Sequence, residues 1–487
     1  MQRSEPPSAL YGAALGKGEL LLGVNYAVVV SDDAARGDRR AAGDVAKPRT
    51  EHWWHAAAHR KHQPVDALMQ DRPVALGALY AASALLRIGA AGTGVAVQFD
   101  LTDIARGRPH GWIIGAVGAM QAVTEMIFAP VLARYADRFG RTRFLVGGPL
   151  LSVIGSILLA VSVHPRQIGE ARLLEGIGAA AFVPTALGII AAATTTSRLA
   201  RARASGAFEA CTLIGYAGGF VAGPLAYYQF HRAGFLLLGG LYLIASLVCL
   251  RFVPTVPPLP VSPLRDIARA VLKRGPIRSF LPAWIAANAL VLAFATNLPA
   301  LLKRDLVPGQ TIVHHFDERV IALLLVIWVA LFILGIALWT PVVARLGAAV
   351  TMRRAVPAAW LICAGLFAIN HTSIYKAPFF LLPVALGVVG LAGFGPAALT
   401  YLAECSEAYA ADRSALMAFY TVTLAGGGAL GAFLGGLAVN WLLADGLIVL
   451  GLGLSGFAFL SLRSVVRHER EMQALARGEE APGLLVL

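Results

Sequence analysis

The sequence predicts an all-α membrane protein with twelve transmembrane helices, and three observations carry that prediction. The 487-residue chain is 57% hydrophobic and only 14% charged, well short of the roughly one-quarter charged residues of a soluble domain. Its apolar stretches reach the length of about 17 to 25 residues that crosses a bilayer. They are unbroken, which fits helices, whose backbone groups are bonded within their own segment, and not the alternating strands of a barrel.

Taken in order, the expected spans lie at 76–98, 112–133, 144–163, 171–194, 205–228, 234–253, 279–301, 320–342, 355–371, 378–403, 414–440 and 446–462. Lys and Arg bias sets their direction, because positively charged connectors stay on the cytoplasmic side. Of the 41 such residues, 31 fall on the side of the termini and 8 on the other, with Arg87 and Arg172 inside spans. Both termini are therefore expected in the cytoplasm. The net charge of +13 is spread over these connectors without an aromatic-interleaved stripe, so nucleic acid is not an expected partner. Cys211, Cys249, Cys363 and Cys405 sit in or beside apolar segments without paired spacing and read as small packing residues.

The expected organisation is a basic, disordered cytoplasmic tail (1–73), a six-helix bundle (74–253), a cytoplasmic linker (254–278), a second six-helix bundle (279–463) and a cytoplasmic C-terminal tail (464–487). The linker carries Pro254, Pro257, Pro258, Pro260 and Pro263 before a basic stretch, which reads as an irregular segment with a short amphipathic helix. The two bundles look duplicated. At an offset of 212, Phe182, Pro184, Ala186 and Leu187 recur as Phe394, Pro396, Ala398 and Leu399; Arg201, Gly215, Gly219 and Gly223 recur as Arg413, Gly427, Gly431 and Gly435. At an offset of 211, Pro130, Val131, Ala133 and Arg134 match Pro341, Val342, Ala344 and Arg345. A duplicated unit that keeps its orientation implies halves related by a pseudo-twofold axis along the membrane normal, with a site between them.

Between spans two and three stands Ala133-Arg134-Tyr135-Ala136-Asp137-Arg138-Phe139-Gly140-Arg141-Thr142-Arg143. Gly140 permits a tight turn, and a carboxylate among arginines forms charge-assisted bonds to helix ends, so Asp137, Arg138, Gly140 and Arg141 form a candidate conformational latch. These four match the Gly-x-x-x-Asp-Arg-x-Gly-Arg-Arg pattern, and the chain resembles the major facilitator superfamily here. Ala133 replaces the first Gly and Thr142 a basic residue. The corresponding loop of the second half is read as having lost the Asp-Arg-x-Gly core and keeping only Arg353 and Arg354. Span four opens with Arg172-Leu173-Leu174-Glu175-Gly176-Ile177-Gly178, similar to the Arg-x-x-Gln-Gly-x-Gly of proton-coupled members, with Glu175 in place of Gln. Three apart, Arg172 and Glu175 share a helix face, as a coupling pair or as an ordinary interfacial ion pair. Span five holds Gly215, Gly219, Gly223 and Pro224, a partial match to the Gly-x-x-x-Gly-Pro core associated with antiporters. Small residues at this spacing serve helix packing or a gate.

The remaining ionisable residues within spans are Arg87, Glu125 and Glu209. Each costs about 2.5–3.5 kcal/mol at mid-membrane on insertion scales and so needs a cavity or a partner. Glu125, mid-span, is the favoured proton acceptor, with Arg87 as its partner or as an anion site; a static buried pair is the alternative. In the tail, His52, His55, His59 and His62 lie at helical spacing and are a weak metal candidate. A flexible tail, or a segment ahead of the true start codon, is the reading preferred.

The resemblance implies a secondary transporter in the bacterial cytoplasmic membrane, resembling drug and metabolite antiporters with protons. It would work as a monomer on a small-molecule substrate, with lipid around it, without cofactor or metal. Uptake of a nutrient or organic acid is the alternative. A polytopic enzyme is disfavoured: there is no Gly-x-Ser-x-Gly, paired intramembrane aspartate or His-Glu-x-x-His. A non-transporting receptor or scaffold remains a third class.

Overall fold

The computed structural model describes residues 73–193, 198–254, 275–407 and 413–476. The tail histidines and most of the linker lie outside them. The described residues form fourteen α-helices and no strand: α1 Pro73–Ile104, α2 Gly111–Phe139, α3 Arg141–Val161, α4 Pro165–Ala193, α5 Arg198–Phe230, α6 Gly234–Phe252, α7 Gly275–Lys303, α8 Glu318–Leu346, α9 Ala348–Ala355, α10 Ala358–Asn370, α11 Leu381–Leu391, α12 Phe394–Glu407, α13 Arg413–Leu442 and α14 Ala444–Ala476. Eleven segments among them are long and apolar enough to cross a membrane. One of these, Gly206–Phe252, runs 47 residues and is broken at a 3₁₀ turn, His231–Ala233, where His231 takes a φ of +46°. That break agrees with the expected twelve crossings. The ninth crossing is the pair α9–α10, interrupted before Pro357, and the tenth is α11–α12.

Several boundaries differ from those expected. Helix α1 continues past residue 98 to Ile104, so Asp100 and Asp103 stand on a helix and not in a connector. Helix α7 starts at Gly275, ahead of 279, and α14 runs on to Ala476, well beyond 462. Hydropathy ends a span at its first polar residue, whereas the helix continues wherever polar side chains find partners.

Large apolar side chains point outward over most of the surface. Leu323, Ile333 and Leu338 of α8 are exposed, as suits a face whose solvent is lipid. Tyr375, Phe379 and Trp441 are exposed at one end of the bundle, the placement of an interfacial aromatic belt.

The core divides by half. One cluster, with Leu79, Leu86, Leu145, Phe182, Ile189 and Tyr242, lies within the first half; another, with Phe280, Trp284, Met352, Tyr401 and Leu462, lies within the second. Toward the end of the bundle carrying the α1–α2 and α7–α8 connections, the core instead crosses between halves. There Phe99, Ile114 and Tyr227 share a cluster with Ala300 and Ile321, and Ala119 packs with Ala429 and Ala432. This is the closed end.

Glycine sets the helix spacing. A methyl on Gly219 would lie 2.6 Å from the Ile88 carbonyl oxygen and 2.6 Å from the Ala91 Cβ; one on Gly215 would lie 2.7 Å from the Ala84 carbonyl oxygen; Gly223 abuts the Gly92 backbone. The second half repeats the ladder: Gly427 sits against Ile285, Gly431 against Ala289 and Gly435 against Ala293. The offset of 212 on α5 and α13 is thus matched by an offset of 201 on their partners α1 and α7. Backbone contact of this kind drives helix association where lipid removes the hydrophobic term.

The seam between halves uses the same device. A methyl on Gly115 would stand 2.6 Å from the Ala432 carbonyl oxygen, and one on Gly436 would stand 2.5 Å from that of Gly111. The α2–α13 contact continues to Met126, beside Gly426. Beyond it Ile127, Phe128, Val131, Tyr135 and Phe139 of α2 are exposed.

Gly219→Ala and Gly431→Ala should each lower stability by about 1–3 kcal/mol, the usual cost of overpacking. Gly240→Ala, where a methyl meets nothing within 4 Å, should leave it unchanged. Thermal unfolding of the three purified variants in one detergent checks this; equal melting temperatures would remove the ladder from the account of the fold.

Candidate functional site

Helix α1 carries a column of buried polar residues, Arg87, Thr93, Gln98 and Asp100, and each level recruits partners from neighbouring helices. At the lowest level Arg87 meets Glu125 of α2 in a two-pronged ion pair. Its Nη2 donates to Oε1 at 2.9 Å and its Nη1 to Oε2 at 3.3 Å. The side chains are 4% and 8% exposed. Gly215 admits the Arg87 Cβ against α5, and the guanidinium lies over the Tyr216 ring, 5.2 Å from its centre. The expected partnership is therefore present. Glu125 immediately precedes Met126, which packs beside Gly426 of α13.

One level up, Arg172 of α4 is paired with Glu175, as their spacing predicted, and is also bonded to Gln121 of α2. Arg172 Nη1 donates to the Thr93 Oγ1 at 2.7 Å. Glu175 is wholly buried and accepts further bonds from Thr93 (3.2 Å), Ser156 (3.2 Å) and the Tyr242 hydroxyl (3.3 Å). A buried carboxylate so surrounded satisfies the requirement that an interior charge be both paired and hydrogen-bonded. These neutral partners were not singled out in the sequence, because Gln, Thr, Ser and Tyr inside a span barely interrupt its hydropathy.

At the closed end Asp100 binds Arg232 at 2.8 Å. The Tyr227 hydroxyl lies 2.8 Å from Asp103 and 3.2 Å from Asp100. Lys303, the last residue of α7, reaches Asp103 and Glu318, both at 2.7 Å, and so bridges the halves. Around it the Asp305 amide donates to the Gly107 carbonyl at 3.0 Å, and Arg304 Nη1 donates to the Pro109 carbonyl at 2.6 Å. Burial, reinforced by nearby Arg108, lowers the pKa of Arg304. None of these residues was a sequence candidate, since the expected first span stopped short of Asp100.

At the opposite end lies the α2–α3 corner. Gly140 has a φ of +101° and its amide donates to Ala136, the conformation for which glycine is suited. Asp137 accepts from Arg141 Nε at 2.7 Å, and Arg141 Nη1 donates to the Gly188 carbonyl at 2.9 Å, fastening the corner to α4. Arg138 stacks on Phe139. The second half contradicts the expectation that only Arg353 and Arg354 remain of this motif. Gly347 ends α8 with a φ of +82° and an amide bond to Val343, the same cap as Gly140. Arg345-Leu346-Gly347 therefore keeps the Arg-x-Gly of Arg138-Phe139-Gly140, at an offset of 207. The offset-211 match is displaced by about one turn here, because α8 is shorter than α2 between its proline and the corner.

The glycine stripe of α5 contacts α1 of its own half, and Pro224 lies inside a continuous helix, so its observed role is packing. Glu209 is half-buried on α5. Among the described residues the polar column has no ionisable counterpart in the second half: in the glycine ladder Asn288 takes the place of Arg87, and in the frame set by the two corners Phe332 takes that of Glu125. Among the described residues no group of His, Cys, Asp and Glu could hold a metal ion.

Comparison with known proteins fits this architecture. The Major Facilitator Superfamily profile matches residues 79–410. The chain is 30% identical over 118 residues to multidrug resistance protein 2 of Bacillus subtilis (strain 168), covering 23% of this chain and 29% of that protein. It is 25% identical over 286 residues to the lysophospholipid transporter LplT of Enterobacter sp. (strain 638), covering 54% and 65%. The match thus spans less than two thirds of either relative. Among solved structures, a POT family transporter in complex with 5-aminolevulinic acid superposes with a TM-score of 0.65 at 14% identity, over 82% of this chain and 99% of that one. Profile, helix content and duplicated architecture agree: the chain is an integral membrane protein and belongs to the Major Facilitator Superfamily, a superfamily of membrane transporters.

Proposed function

We propose that this protein moves a small solute out of the cell by alternating access, coupled to protons, with Glu125 as the proton acceptor. The observation that carries the reading is the buried Arg87–Glu125 pair beside the seam. A carboxylate that gives up a guanidinium to take a proton changes the charge of a desolvated site, and with it the preference between two packings of the halves. Arg172 and Glu175 hold the next level of the same column. The latch Asp137, Arg138, Gly140 and Arg141 stabilises the corner at the opposite end. Efflux is supported by the multidrug resistance relative.

In this reading both termini are cytoplasmic, the membrane is the bacterial cytoplasmic one, the protein acts as a monomer, and the two bundles span 74–253 and 279–463. The closed end is then the outer one and the present conformation faces inward. A second reading, an amphiphilic lipid as the solute, is favoured by the match to the lysophospholipid transporter and belongs in the same assay.

In proteoliposomes carrying an internal pH dye, candidate solutes should evoke proton flux across an imposed pH gradient. Glu125→Gln should abolish that flux while the protein still folds; full proton-coupled activity in this variant removes the assignment. Arg87→Ala should lower stability by about 3–5 kcal/mol, because it strands the buried Glu125 carboxylate. Adding Glu125→Gln to it should cost less than Glu125→Gln costs alone, since the double variant holds neither charge. Fully additive losses in unfolding temperature would contradict the pairing. At the corner, Asp137→Asn should cost about 1.5–3 kcal/mol by removing a charged hydrogen bond and slow transport without changing the solute preferred. Unaltered turnover would dismiss the latch.

A further inference from the structure

Lys303 is held in an unusual setting for a residue at the end of a span. Its side chain is 7% exposed. The ammonium lies 4.8 Å from the centre of the Tyr227 ring and 5.3 Å from that of Phe99, between the carboxylates of Asp103 and Glu318. Two aromatic faces and two carboxylates around one nitrogen form a cation cage. Its composition is divided across the seam. Phe99, Asp103 and Tyr227 belong to the first half, whereas Lys303 and Glu318 belong to the second.

We propose that this cage is an ammonium-binding site with a tethered occupant. Lys303 fills it while the end is closed, and a solute's ammonium group takes its place on Phe99, Asp100, Asp103 and Tyr227 when the halves part. The proposal rests on the alternating-access reading and names its solute class as organic ammonium compounds. If the halves separate, Lys303 leaves with α7, and two carboxylates, Asp100 and Asp103, remain on the first half against Arg232. Asp103 then loses its ammonium partner, Asp100 keeps Arg232, and the Phe99 and Tyr227 rings lie beside them. A second feature points to the same ligand. Asp100 is 1% exposed and its Oδ2 has no hydrogen-bond partner among the described residues, although its Oδ1 holds Arg232 and lies 3.2 Å from the Tyr227 hydroxyl. This leaves an acceptor one hydroxyl away from the ammonium. Exchange between a tethered and a free cation also keeps the outer carboxylates neutralised in both states.

The test uses the full chain in detergent with n-butylammonium as the probe and n-butanol as its uncharged control. Gly436→Trp forces the seam apart, because Gly436 faces the Gly111 and Gly115 backbone. This variant should gain about 2 °C in melting temperature with the probe at roughly ten times its Kd. No gain is expected with butanol, in the wild-type protein, or in Gly436→Trp combined with Asp103→Asn. A folded Gly436→Trp protein without response, a response that survives Asp103→Asn, or an equal response in the wild type overturns the proposal. If Gly436→Trp does not fold, Lys303→Ala removes the occupant directly and is judged by the same outcomes. Binding in micelles needs neither proton gradient nor transport, so a negative result here leaves the role of Glu125 untouched, and loss of that role leaves this test standing.

Discussion

Everything in this molecule depends on helices approaching to backbone contact. In lipid no hydrophobic gain accompanies the meeting of two apolar helices, so association relies on close packing and internal hydrogen bonds. Gly215, Gly219 and Gly223 supply the packing in one half, Gly427, Gly431 and Gly435 in the other, and Gly111, Gly115 and Gly436 between them. The chemistry follows from the same contacts. Arg87 reaches Glu125 because Gly215 leaves room for its Cβ, and Gly176 lies against the Gln121 carbonyl, which brings Arg172 of α4 to α2.

On that symmetric frame the charges are distributed unsymmetrically. The first half bears the ion pairs Arg87–Glu125, Arg172–Glu175 and Arg232–Asp100. The second half, at the levels of the first, offers Asn288 and Asn297 among apolar residues. A duplicated scaffold thus supplies two halves of like helix packing, while the buried ion pairs of the column are concentrated on one of them. At the bridges between halves the second contributes charges of its own, Lys303 to Asp103, Asp305 to Arg108 and Arg304 to the Pro109 carbonyl.

Much of this was legible in the sequence. Apolar run length gave the spans, and the small-residue and proline matches gave the duplication, because both reflect constraints that lipid imposes on every position. Arg172 and Glu175 could be paired from their spacing alone. Arg87 and Glu125, 38 residues apart, could be matched only through the cost of leaving either unpartnered. What stayed hidden had weak or misleading hydropathy. Asp100 and Asp103 looked like the start of a connector, although partners from α5, Arg232 and Lys303 keep them on the helix. Gly347 escaped notice because the repeat was aligned on Pro341, one turn out of register with the corner. Thr93, Gln121, Ser156 and Tyr242 converge on one buried pair from four helices, a relation that no linear spacing encodes.

The composition of the seam has a consequence for how such a protein can change. Gly111, Gly115 and Gly436 meet main chain to main chain, so neither surface has a side chain to trim. Every coding change at these positions adds atoms, and every addition pushes the halves apart on that side. Sequence drift there is one-directional, since it can only widen the seam. Variation that restores the balance has to arise elsewhere in the chain.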